Sequence, residues 1–137
     1  MSTSSKSRLN RSAFIGTINE TDLEHLLELL EAEDIHCVID LHAARHPGGE
    51  AIVTALRLGS ESREMYYAHL PELTGSREER GQPHRELAWA ARTALRHRTC
   101  LVTRGTTAEL RAAETVAELV GLRLVALEVP GSSPRKD

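Results

Sequence analysis

At 137 residues and 15.1 kDa the chain holds one domain, large enough to bury a core of its own. Its 40% hydrophobic and 27% charged residues exclude a disordered chain, and a net charge of -3 excludes wholesale wrapping of nucleic acid. Two cysteines outside any CxxC pair exclude a disulfide scaffold and a cysteine-based zinc ribbon.

The first dozen residues are Ser-rich and basic, with Lys6, Arg8 and Arg11 but no apolar segment behind them. They read as a mobile arm over 1–12 of a cytoplasmic protein without a membrane span. Ala13 to Thr17 reads as a first strand. Thr21-Asp22-Leu23-Glu24 is a capping box, in which hydroxyl and carboxylate satisfy free amides at a helix start. The helix it opens carries Leu23, Leu26, Leu27 and Leu30 on one face. Cys37 to Leu41 is apolar on both faces, as a central parallel strand requires.

Pro47-Gly48-Gly49 breaks the chain, and Glu50 to Leu58 follows as a short helix. Met65 to Leu70 gives strand three, then a polar loop runs to Gln82. Pro83 suits the first position of a helix reaching about His97. Thr99 to Thr103 is strand four, Ala108 to Val120 a helix stopped by Gly121, and Leu122 to Val129 strand five. Residues 130–137 read as a disordered polar tail. Strict alternation of strand and helix over 13–129 predicts a single doubly wound, three-layer α/β sandwich with a mostly parallel five-stranded sheet.

Ligands of such sheets bind outside the carboxyl ends of the strands. The residues expected there are Gly16, Thr17 and Asn19; Asp40, His42 and His46; His69 and Glu72; and Thr103 to Thr107. Arg104-Gly105-Thr106 enters a helix, where free amides, the helix dipole and a guanidinium suit a small anion; Thr106 or Thr107 acting as a plain helix cap is the competing reading. Asp40, His42, His46 and His69 are metal-ligating types. His42 and His46 lack a spacing that would place them on one helix face, so no metal and no cofactor is expected. Histidines in such loops are expected to be exposed, or to act as hydrogen-bonding groups. Cys37 and Cys100 begin strands and are expected to be buried and inert. Arg85, Trp89, Arg92 and Arg96 line up opposite the apolar stripe of the third helix. They read as an interface, most simply of a homodimer, with nucleic acid as the lesser alternative.

Ile15-Gly16-Thr17 with Asp22 to Leu30, Asp40-Leu41-His42, and Tyr67-Ala68-His69-Leu70-Pro71-Glu72-Leu73-Thr74-Gly75 together resemble a bacterial and archaeal family labelled domain of unknown function 488. The resemblance spans about 13–129 and implies the same α/β fold with a site at the same edge. Members carry Cys-Ala-Glu after strand four and Cys-His-Arg at the next helix. This chain has Thr103-Arg104-Gly105 and Ala108-Glu109-Leu110-Arg111 there, and His42 stands where members have Arg. The resemblance thus implies a divergent, noncatalytic or regulatory member that binds a small anionic ligand or a partner. The alternative is a divergent enzyme for a small anionic or nucleotide-like substrate, with Asp40, His42 and Arg104 as base, acid or binding groups.

Overall fold

The computed structural model describes residues 9–18, 23–42, 49–74 and 84–127. Five strands form one sheet: β1 (Ser12–Thr17), β2 (Cys37–Asp40), β3 (Tyr66–His69), β4 (Thr99–Thr103) and β5 (Arg123–Ala126). Four helices connect them: α1 (Leu23–Ala32), α2 (Gly49–Ser62), α3 (His84–Arg96) and α4 (Thr107–Leu119). A 3-10 turn covers Pro71–Thr74.

Every pairing is parallel and the strand order is β3-β2-β4-β1-β5. The apolar surfaces of α1 and α2 cover one face of the sheet, through Leu26, Leu27, Leu30, Ile52 and Leu56. Those of α3 and α4 cover the other, through Ala90, Ala91, Ala94, Ala113, Val116 and Ala117. Small residues on that second face let two helices lie close to the strands. Among the described residues no helix is long and apolar enough to cross a membrane.

Several boundaries differ from the sequence reading. Residues 9–11 of the expected arm belong to the described fold, where Asn10 closes the end of α3. Its side-chain amide donates to the Ala94 and His97 carbonyls at 3.0 and 2.7 Å, and its backbone amide to Leu95 at 2.8 Å. These are carbonyls that a helix terminus leaves without partners. Helix α2 runs four residues past Leu58, through Gly59. A Cβ at Gly59 would lie 2.4 Å from Leu27 Cδ1, so this glycine allows α1 and α2 to approach and does not end the helix. Gly121 does act as a stop, with φ of 71° and its amide on the Glu118 carbonyl. Glu24 of the expected capping box carries an ion pair to Arg63 at 3.3 Å. Thr21, Asp22 and Pro83 lie outside the described residues.

The cysteines lie at the starts of β2 and β4 as expected, 3% and 0% exposed. Burial pushes the Cys37 thiol up to about 12, and the Cys100 thiol further in the same direction. Trp89 departs from its expected place on an open face. It is half-buried, packs on the α3/α4 core, and lies 6.1 Å ring to ring from Tyr66 on edge strand β3. Arg85, Arg92 and Arg96 are exposed around it.

Candidate functional site

Strand β2 leads into α2 on one face of the sheet, while its neighbour β4 leads into α4 on the other. Adjacent strands whose connections part in this way open a crevice at their carboxyl ends. Asp40 and Leu41 end β2 there, with the Leu41 amide on the Val102 carbonyl at 2.8 Å. Pairing of Asp40 with His69 and of Val38 with Tyr67 brings the end of β3 alongside.

Alternation along a strand sends Tyr67 and His69 to the same face as Val38 and Asp40. That geometry builds a polar chain. The Tyr67 hydroxyl donates to Asp40 Oδ2 at 2.6 Å. Asp40 Oδ1 lies 2.6 Å from His42 Nδ1 and accepts the His42 backbone amide at 3.2 Å. His42 Nε2 faces the Gly49 carbonyl at the start of α2, at 3.4 Å. His69 Nε2 donates to the His42 carbonyl at 2.8 Å, and the two imidazoles are 5.6 Å apart.

Asp40 and His42 are both 0% exposed, and His69 is half-buried. The expectation of exposed loop histidines is therefore corrected for His42, whose ring is held inside by Asp40 and the α2 terminus. Burial lowers the basicity of His42. The hydrogen bond and charge of Asp40 outweigh it, with help from the Gly49 carbonyl and the Glu109 carboxylate, and the net shift is upward. Burial and the Asp40 charge together raise the Tyr67 phenol far above its ordinary range, so it remains a donor.

The turn after β4 reaches the same edge with three of its amides already engaged on side chains. Arg104 N–H donates to the buried Glu109 carboxylate, Gly105 N–H to Thr103 Oγ1 at 3.1 Å, and Glu109 N–H to Thr106 Oγ1 at 3.2 Å. Thr106 is the cap of α4, in extended conformation. The anion expected at this turn thus meets a carboxylate supplied by the chain itself. Gly105 has φ of 89° and lies beside Thr17, both exposed at the rim. Gly16 is buried, and a Cβ there would sit 3.1 Å from Leu26 Cδ1, so its role is close packing against α1.

Of the residues expected at the site, the structure joins Asp40, His42 and His69, and leaves Thr17, Arg104, Gly105 and Thr106 exposed on the rim. Asn19 and His46 lie outside the described residues. Tyr67, Gly49 and Glu109 were not singled out as site residues. The signal for Tyr67 was available: it precedes His69 by two in a strand, and so shares its face. The expectation of no metal rested on the spacing of His42 and His46. The group that assembles is instead Asp40, His42 and His69, with one ligand atom from each within 4.8 Å of the others. No family of proteins, no curated protein and no solved structure matches this chain.

Proposed function

We propose that this protein is a divergent α/β enzyme acting on a small anionic substrate at the carboxyl edge of β2, β3 and β4. The observation that carries the reading is the Tyr67–Asp40–His42 chain. A carboxylate and an imidazole with no solvent exposure are costly to bury, and packed apolar residues of similar volume often give a fold of equal or greater stability. Such groups at the ligand edge of a doubly wound sheet are explained by what they do there. The paired carboxylate and imidazole can hold a proton or a cation against charge developing on a substrate. His69 forms the more open wall, and Arg104 supplies positive charge at the rim.

The resemblance to the domain-of-unknown-function 488 family supports the same location. The residues Asp40-Leu41-His42 of one of its segments and Tyr67 and His69 of another meet in this chain, through Tyr67 to Asp40 and His69 to His42. Convergence within hydrogen-bond reach favours the enzyme over the noncatalytic binder. We propose separately a cytoplasmic protein that forms a two-fold homodimer through Arg85, Trp89, Arg92 and Arg96. The open edge of β3, where Tyr66 is 63% exposed, supports that surface.

The test is native mass spectrometry of the purified protein for a copurifying ligand, followed by turnover assays on phosphate monoesters and small carboxylates. His42→Gln keeps a hydrogen-bonding side chain and should abolish turnover while the protein stays folded. A ligand that binds but is never turned over would return the protein to the noncatalytic class.

A further inference from the structure

We propose that Asp40, His42 and His69 bind a divalent first-row transition-metal ion, zinc being the simplest occupant, with one coordination position left for the substrate. The proposal deepens the reading of the carboxyl edge as the functional site and depends on it.

The donor set fits. Two imidazoles and one carboxylate suit zinc and ferrous iron, and three protein ligands are the pattern of catalytic sites, which keep a position open. One ligand atom of each residue lies within 4.8 Å of the others. Bonds of 2.0–2.1 Å in a tetrahedron separate ligand atoms by roughly 3.3 Å, so closing on an ion needs side-chain shifts of about 1 Å. Asp40 Oδ1 and His42 Nδ1, 2.6 Å apart, already share a hydrogen whose place a cation can take.

Each of the three also has a heteroatom fixed by a hydrogen-bond partner, which is how metal ligands are oriented. Asp40 Oδ2 accepts from Tyr67, leaving Oδ1 for the ion. His69 Nε2 donates to the His42 carbonyl, and His42 Nε2 faces the Gly49 carbonyl. A carbonyl only accepts, so those nitrogens carry the hydrogens, and Nδ1 is the lone-pair nitrogen of each neutral ring.

The ion also resolves a conflict of charge. Asp40 and the buried Glu109 put two carboxylates at this edge, and the Arg104, Gly105 and Glu109 amides of the β4–α4 turn are spent on side chains of the chain itself. Asp40 with two neutral imidazoles carries one negative charge; a divalent ion makes that group positive. An anionic substrate then has an attractive partner at the open position.

The experiment uses untagged, chelator-treated full-length protein titrated with cobalt(II), read by visible d–d absorption. One equivalent should bind. His69→Ala should lose the band, Tyr67→Phe should weaken binding about 10–100-fold, and His36→Ala, at an exposed histidine outside the group, should leave it unchanged. Circular dichroism and melting of His69→Ala, a half-buried position, establish that the variant is folded. Absence of the band, or equal binding by folded His69→Ala, overturns the metal site. Inorganic phosphate titrated into metal-free and zinc-loaded protein separates the two claims. Phosphate bound only by the zinc-loaded form supports both. Phosphate bound equally without metal overturns the ion's role while the anion site stands. Zinc bound without phosphate upholds the ion and removes the anionic substrate.

Discussion

Glu109 offers a direct test of how the β4–α4 turn is held. Glu109 is 4% exposed, and its carboxylate accepts the Arg104 backbone amide at the start of α4, where the helix dipole favours negative charge. A hydrogen bond to a charged group contributes about 1.5–3 kcal/mol, and charge at a helix N-terminus about 0.3–1 kcal/mol. Glu109→Ala should therefore destabilise the fold by about 2–4 kcal/mol, a fall in Tm of roughly 10 °C for a domain of this size. The vacated position presents an amide and a dipole to solvent, so added phosphate should recover part of the loss. An anion at 100 times its Kd returns about 2.7 kcal/mol. Melting curves of the wild type, Glu109→Gln and Glu109→Ala, in phosphate and in chloride of equal ionic strength, measure both effects. Glu109→Gln, which keeps an acceptor but loses the charge, should fall between the other two. A Glu109→Ala protein that melts with the wild type, or phosphate that raises both equally, would falsify the idea that Glu109 stands in for a bound anion.

Three further outcomes follow from the packing. Cys37 has its pKa raised from 9.0 to about 12, so its stabilising contribution is complete below the unfolded value and is lost as pH rises from 9.0 to about 12. Denaturant melts across that window should decline more steeply for the wild type than for Cys37→Ala, and both native thiols should resist an aromatic disulfide reagent at pH values near neutrality. Gly59→Ala gains about 1 kcal/mol of helix propensity, but its Cβ would meet three atoms of buried Leu27 at 2.4, 3.1 and 3.3 Å. Overpacking of about 1–3 kcal/mol should win, and equal stability of the variant and the wild type in urea would show that α1 and α2 separate freely. Trp89→Ala should shift a sedimenting dimer toward monomer with unchanged helix content; a wild type that is monomeric at high concentration removes the dimer.

The fold was legible because each local signal agreed with the next. Short apolar runs at Cys37 to Leu41 and Thr99 to Thr103 become the two central strands whose residues are buried on both faces. Order within the sheet was not legible, since β4 inserts between β1 and β2 through contacts made only after the chain has crossed over three times from β1. The helix expected to end at Leu58 continues through Gly59 to Ser62, and what Gly59 does there is set by Leu27 on α1, thirty-two residues earlier. Trp89 was misread for a related reason. A helical wheel assumes one buried direction, whereas α3 also meets the edge strand β3, where Tyr66 receives the indole.

At the site the sequence pointed to an edge but not to its contacts. Asp40 and His42 are two residues apart in the chain and could be placed at the end of one strand. His69 and Tyr67 join them only because β2 and β3 pair in parallel with Asp40 opposite His69, a register that no local pattern specifies. Spacing along the chain gave His42 and His46 no shared helix face, and so argued against a metal; register brings in His69 from a different strand. The same limit explains Glu109. As the third residue after Thr106 it looks like the acidic half of a helix cap, and its amide is indeed capped by Thr106. Its carboxylate turns instead to the Arg104 amide and brings negative charge toward His42. An edge that reads from sequence as an anion cradle is thereby lined by the chain's own carboxylates, and a cation among Asp40, His42 and His69 is what would make it attractive to an anion again.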